Sequence, residues 1–287
     1  MPGAPRASAG RRHLEDFWLR FAHQVIGLEH LHLGYWEPED PITYQGCLAA
    51  QERYTERVLA RIPSEVKSVL DVGAGLGSTS RRLQAAGLAV QAVCPDAYQQ
   101  SVVEQRAAGV PLHRCRFEEL RRLAAFDLVL FCESTQYIPL GGLFPVCRQQ
   151  LDPHGAGYVL VADWLLRAGR SYYGGAHSEA EFLASAEREG FVLLHSEDIT
   201  DRTAPTLEYL TRFHQSHLLP AYRLGHEMFE LRLPKLTRWV HRLARRRMAR
   251  MDQWVEHEVA ARFDVDRYKE SVRYRVLLLQ LAARERG

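Results

Sequence analysis

One short stretch constrains this chain more than any other. An apolar run, Val66 to Val72, enters Gly73-Ala74-Gly75-Leu76-Gly77, and a helical pattern begins at Ser78. Glycine at alternate positions lets the backbone turn tightly and approach a ligand without a Cβ in the way. The helix start adds unpaired amides and the positive end of its dipole. Two nucleotide-type occupants of such a loop can be compared. A dinucleotide fingerprint needs a third glycine where Ser78 stands, and its acid on the next strand. A phosphate loop needs Gly-Lys-Ser/Thr, and the stretch has no lysine. Asp71, two residues ahead of the first glycine, would repel a phosphate. A ligand with an ammonium group and no phosphate suits the loop better.

Short apolar runs alternate with helical patterns beyond the loop. Ala89–Cys94, Phe126–Cys132, Gly157–Ala162 and Phe191–Ile199 read as strands, with Leu112–Phe117 between the first two of them. Ser78–Ala86, Ala97–Ala108, Leu140–Leu151 and Glu179–Glu189 read as helices. This alternation predicts a mostly parallel sheet covered on both faces. Leu14–Arg61 reads as helical, broken by an aromatic loop from His30 to Trp36. Pro205–Arg262 reads as helical throughout, interrupted only by Pro220, Gly225 and Pro234. Ser271–Leu281 fits helix or strand by pattern alone.

Composition excludes several classes. The chain has 287 residues, 46% hydrophobic and 25% charged, which sets aside disordered, collagen-like and disulfide-scaffold readings. Lys+Arg 37 against Asp+Glu 35 leaves +2, which argues against a general nucleic-acid binder. No apolar run reaches the ~18–20 residues of a bilayer span, so no integral membrane contact is expected. Met1–Arg12 lacks the apolar segment of a secretory signal and reads as a tail. The five cysteines (47, 94, 115, 132 and 147) form no CxxC pair and read as reduced thiols of a cytoplasmic protein. His30 and His32 alone make a poor zinc site, so no metal is expected.

Asp71–Gly77 resembles the first motif of class I S-adenosylmethionine-dependent methyltransferases, and that cofactor carries an ammonium and no phosphate. Phe126-Asp-Leu-Val-Leu-Phe-Cys-Glu133-Ser134 resembles the fourth-strand motif, and Leu151-Asp-Pro-His-Gly through Asp163-Trp164 the segment forming strand five. With His32-Leu-Gly-Tyr35-Trp36 and Ala50-Gln51, the pattern is similar to the small-molecule branch of tocopherol, sarcosine/dimethylglycine and cyclopropane-fatty-acid-type enzymes. The resemblance implies an α/β fold with a doubly wound, seven-stranded, mostly parallel sheet, N-terminal helices and a helical cap before the last strand. Residues 1–13 would be a tail, and 14–204 with 263–287 the core and its N-terminal lid. Residues 205–262 would be the cap, and Ser271–Leu281 strand seven, antiparallel beside strand six.

The resemblance also implies binding roles. Gly73, Ala74, Gly75 and Gly77 would line the cofactor, with Asp71 near its ammonium. The acid that ends strand two in the family is replaced here by Cys94. Asp96 or Gln99 substitutes from the next turn, or backbone groups at Cys94 and Pro95 suffice. Arg116, Phe117 and Glu118 would flank the adenine, and Tyr35 and Gln51 would add contacts from the N-terminal segment. Tyr35 and Trp36 also fit plain aromatic packing of a lid, Trp36 being otherwise a substrate contact.

Acceptor-side candidates follow strands four and five, where open α/β sheets bind ligands. Glu133 is the candidate base or a cofactor-facing carboxylate, with Gln136 and Tyr137 beside it. The histidine usual in the relatives' loop is missing. Trp164 would shape the pocket, and Asp163 either shapes it or ends its strand. His214 and Tyr222 would reach in from the cap, His214 as a second candidate base. Arg238, Arg242, Arg245, Arg246, Arg247 and Arg250 read as a solvated basic face, or as a site for an anionic substrate. The expected activity is methyl transfer to N, O or C of a small, partly apolar metabolite in specialised metabolism. A catalytically silent cofactor-binding module and carbon methylation of an anionic, isoprenoid-like substrate are the alternatives. The expected partner is the acceptor molecule, with no nucleic acid; a homodimer is compatible.

Overall fold

The computed structural model describes residues 19–282, except 124, 154, 173–175, 234–245, 248, 259, 260 and 262. Strands β1 (Ser68–Val72), β2 (Ala89–Val93), β3 (Leu112–His113), β4 (Leu128–Cys132), β5 (Tyr158–Leu166), β6 (Phe191–Asp198) and β7 (Val272–Leu281) form one seven-stranded sheet in the order β3-β2-β1-β4-β5-β7-β6. The first five strands run parallel, and β7 pairs antiparallel with both β5 and β6. The order reverses between β1 and β4, and that crevice is where open sheets bind ligands.

Side chains alternate across the sheet and divide the core in two. Leu70, Val129, Phe131, Val159 and Val161 pack under α4 (Leu140–Gln150) and α5 (Glu179–Arg188), which contribute Phe144 and Phe182. Val69, Leu128, Leu130, Leu160 and Tyr274 pack on the other face. They meet Tyr54 and Val58 of α1 (Tyr44–Leu59) and Leu207 of α6 (Thr200–Phe213). Helices α2 (Ser78–Ala85) and α3 (Ala97–Arg106) follow β1 and β2.

Several expectations are refined. Ser271–Leu281 resolves as strand β7, inserted between β5 and β6 rather than only beside β6. Leu112–Phe117 holds a two-residue strand, then a 3-10 turn at Phe117–Glu119. Asp163 does not end its strand, because β5 continues to Leu166. Pro205 lies inside α6, which begins at Thr200, and α8 (Val265–Ser271) leads straight into β7. Pro220 opens α7 (Leu219–Arg232), which continues through Gly225, so neither interrupts the helix. A proline in the first turn removes an amide that has no helical partner there. Pro234 lies outside the described residues, as do Arg238, Arg242 and Arg245. Arg246, Arg247 and Arg250 are exposed, a solvated face. No described helix is long and apolar enough to cross a membrane. Among the described residues no three His, Cys, Asp or Glu side chains are grouped to hold a metal ion.

Candidate active site

The glycine loop uses each of its glycines differently. Gly73, Gly75 and Gly77 have φ of +75, +55 and +79°, values that side chains rarely adopt. A Cβ on Gly73 would lie 2.5 Å from the Ser134 Cβ, and one on Gly77 3.2 Å from the Val103 Cα. Those two glycines let the loop close against β4 and α3. At Gly75 the nearest protein atoms would be 3.8 Å or more away, the first being Leu31 Cδ1. A Cβ there would meet these atoms only at ordinary van der Waals distance, so no protein contact demands this glycine for space. Beneath the loop, Asp71 is buried and accepts 2.5 Å from the Ser80 hydroxyl. Burial pushes its carboxyl up to about 6, partly offset by that hydrogen bond.

The end of β2 carries no carboxylate of its own. Cys94 is buried, and its thiol lies 3.3 Å from Gln99 Oε1, with burial raising it to about 11. Asp96 Oδ1 caps α3 by accepting from the Gln99 amide at 2.7 Å. Pro95 is exposed between them. Phe117 does not face the crevice. Its ring is 3% exposed, edge-on to Phe131 in the core. Arg116 and Glu118 pair with each other at 2.7 Å beside it.

A strap, Leu28–Trp36, crosses the loop. Ser78 Oγ donates to the Glu29 carbonyl at 2.8 Å, and Gln51 Nε2 donates to the carbonyls of His30 and His32. The Gly34 amide and the Trp36 indole both donate to Thr206 Oγ1 on α6, at 2.9 and 2.8 Å. Trp36 is thereby a packing residue rather than a substrate contact, 1% exposed beside Cys47 and Tyr209. Tyr35 packs beside Tyr54, with the Arg57 guanidinium 4.5 Å from its ring centre, which fits the packing alternative. Gln51 serves the strap through its amide nitrogen, while its buried Oε1 has no partner among the described residues.

His30 and His32 hold the strap to α1. His32 Nε2 lies 3.1 Å from both His30 Nδ1 and Thr55 Oγ1, and its ring stacks on Tyr54 at 4.1 Å. Burial lowers His30 to about 4 and His32 to about 3, so both are neutral near pH 7. Unfolded histidine takes up protons below about 6.5, whereas buried His32 does not, so its contribution to stability declines as the pH falls below that value. Wild type should therefore exceed His32→Asn in urea midpoint by more at pH 7 than at pH 5. An equal gap at both pH values would show that His32 titrates freely in place.

Glu133 follows β4 and stands between the loop and the strap. It is a non-glycine residue at φ +53°, a strain that persists only when the surroundings fix it. Its amide donates to the Ala162 carbonyl at 2.9 Å, and the next residue, Ser134, donates to the Val72 carbonyl at 2.6 Å. Oε1 accepts from the Leu33 amide at 2.7 Å and from the Tyr274 hydroxyl at 2.8 Å. Burial, and then the nearby Asp163 carboxylate, push Glu133 up to about 8 against these two donors. Buried Asp163 receives the Thr135 amide and hydroxyl at 2.9 and 2.7 Å on one oxygen. It fixes the turn after β4 rather than lining a pocket. His177, which sequence reasoning passed over, fixes the same turn through the carbonyls of Thr135 and Ile138.

The remaining candidates are dispersed. Tyr137, 61% exposed, lies in the turn after Glu133, its amide donating to the Ser134 carbonyl at 3.3 Å. Gln136 Nε2 reaches the Glu133 carbonyl at 3.4 Å. Trp164 packs edge-on to Tyr172 at 5.4 Å. His214, 2% exposed, binds the Val255 carbonyl through Nε2 at 2.7 Å. Tyr222 donates to Asp252 at 2.5 Å within the helical insertion. The residues that complete the centre, Tyr54, Tyr274 and Thr206, carried no sequence signal beyond apolar or helical periodicity.

The geometry and the known proteins agree. Residues 70–159 match the family described as a methyltransferase domain, a span from β1 into β5 that includes the glycine loop and Glu133. That match, set in this sheet topology, makes the chain similar to class I methyltransferases. S-adenosylmethionine is the cofactor of that class, and the loop at Gly75, bordered by buried Asp71 and free of basic side chains, fits a cationic nucleoside. The methyltransferase fold recurs in solved structures. The [4+2]-cyclase SpnF aligns at a TM-score of 0.66 with 20% identity, covering 98% of both chains. Geranyl diphosphate C-methyltransferase from Streptomyces coelicolor A3(2) aligns at 0.66 with 16% identity, over 97% of this chain and 100% of that chain. A sarcosine dimethylglycine methyltransferase structure from Galdieria sulphuraria aligns at 0.66 with 16% identity, over 92% and 98%. No curated protein matches the chain in sequence.

Proposed function

We propose that the chain is a methyltransferase acting on N, O or C of a small, partly apolar acceptor in specialised metabolism, with Glu133 taking the acceptor's proton. The carrying observation is Glu133 itself: a strained acid beside the glycine loop, held near pKa 8 at the carboxyl end of β4. Gly73, Ala74, Gly75 and Gly77 would hold the cofactor through the backbone, with Asp71 beneath and groups of Cys94, Pro95, Asp96 and Gln99 at the end of β2. The unpartnered Gln51 Oε1 supports a further polar contact from α1. When bound, the cofactor supplies an electrophilic methyl carbon whose bond to sulfur breaks toward sulfur. The protein aligns the acceptor, excludes water with the strap and removes a proton.

Residues of the insertion, with Trp164, Gln136, His214 and Tyr222, would complete the acceptor side. Unpaired Cys47, Cys94, Cys115, Cys132 and Cys147 support a reducing, cytoplasmic setting. One observation favours a second reading, a module that binds the cofactor without turnover: β2 ends in a buried cysteine instead of an acid. An acceptor panel with methyl-labelled S-adenosylmethionine separates the two. Label transfer dependent on acceptor is expected. Cofactor binding by calorimetry with no transfer to any acceptor class would favour the module.

A further inference from the structure

We propose that Tyr274 and Tyr54 are positioning residues: with the Leu33 amide, their hydroxyl chain occupies Oε1 of Glu133 and leaves Oε2 as the oxygen that takes the proton. The inference rests on the reading of Glu133 as the base and specifies how that base is oriented. Tyr274 comes from β7 and Tyr54 from α1, and both are buried, 0% and 1% exposed. Their hydroxyls lie 2.7 Å apart and their rings meet edge to face, with centres 5.9 Å apart.

Each phenol has one proton to give. Tyr274 has Glu133 Oε1 at 2.8 Å and the Ala162 carbonyl at 3.4 Å, so its proton goes to the acid. Tyr54 has the Tyr274 oxygen at 2.7 Å and the Ala162 carbonyl at 3.2 Å, so its proton goes to Tyr274. The chain therefore runs Tyr54 to Tyr274 to Glu133, and the Leu33 amide adds a second donor on the same oxygen. Oε2 has no hydrogen-bond partner among the described residues. The last torsion of a glutamate is soft and nearly two-fold, so an unrestrained carboxylate offers either oxygen. Two donors on Oε1 remove that freedom.

The acceptor's proton passes to Oε2, the carboxylate becomes a carboxylic acid, and the electron pair of the broken bond stays on the acceptor's nucleophilic atom. Burial and the Asp163 carboxylate on β5 oppose the Glu133 charge. The Cys132 thiol on β4 and the Tyr268 hydroxyl on α8, both held protonated partly by Glu133, add no charge. The Leu33 amide first, and then the Tyr274 hydroxyl, favour the ionised form of Glu133 against burial.

The test reads the Glu133 carboxyl directly. Carbon-13 NMR of the cofactor-free protein, with the resonance identified by its loss in Glu133→Gln, gives the titration midpoint. Tyr274→Phe should raise it by about one unit or more, and Tyr54→Phe by less. In Tyr274→Phe the acid limb of kcat should move up equally, with KM for the acceptor within about twofold of wild type. If the phenylalanine variant fails to fold, 3-fluorotyrosine at position 274 keeps the hydroxyl, makes it a stronger donor and should lower the midpoint. A folded Tyr274 variant whose midpoint equals that of wild type overturns the proposal. A midpoint that moves while the acid limb of kcat stays fixed overturns instead the reading of Glu133 as the base.

Discussion

Gly75→Val is expected to weaken S-adenosylmethionine binding at least about 100-fold by calorimetry, a loss of roughly 2.7 kcal/mol, while the protein stays folded. The two halves of this expectation have separate causes. The new Cβ meets no protein atom closer than 3.8 Å, so the fold accommodates it, and the branched side chain fills the space reserved for the ligand. The φ of +55° adds about 1–2 kcal/mol of backbone strain, which lowers Tm by only several degrees in a chain of this size. Gly73→Ala is the contrasting case. Its Cβ would stand 2.5 Å from the Ser134 Cβ, so it should destabilise the fold more than Gly75→Val does. Normal cofactor affinity in Gly75→Val would remove the loop from the binding site.

Glu133→Gln should slow single-turnover methyl transfer by about 10²–10⁴-fold and change cofactor affinity little. The amide oxygen can still accept from Leu33 and Tyr274, so the strap and β7 keep their contacts. What is lost is the capacity to take a proton. In the wild type the carboxyl titrates near 8, so the rate should climb as pH rises through that value and then level, and the glutamine variant should show no such limb. Equal single-turnover rates would exclude Glu133 as the base.

Much of this centre was legible from residue order. The glycine loop, the parallel strands and Glu133 all sit within local patterns, where periodicity and spacing carry information. Less was legible where tertiary packing decides. Phe117 follows β3 as a ring-stacking residue would, yet its side chain turns into the core against Phe131. Trp36 and Tyr35 read as pocket aromatics, but their neighbours come from α6 and α1, positions that no short window can supply. Tyr274 was hidden for the same reason. Its strand fits helix or strand by pattern, and its hydroxyl partner Tyr54 lies 220 residues earlier in the chain.

The placement of β7 also bears on how the protein is made. Both β5 and β6 pair with Val272–Leu281 and not with each other, so during translation each presents an unpaired edge until that late segment emerges. Val192, Leu193 and Leu194 of β6, exposed even in the folded chain, make that strand apolar while its edge awaits β7. Nascent chains are therefore most prone to aggregate in the interval between synthesis of β6 and arrival of β7, when chaperone occupancy should peak.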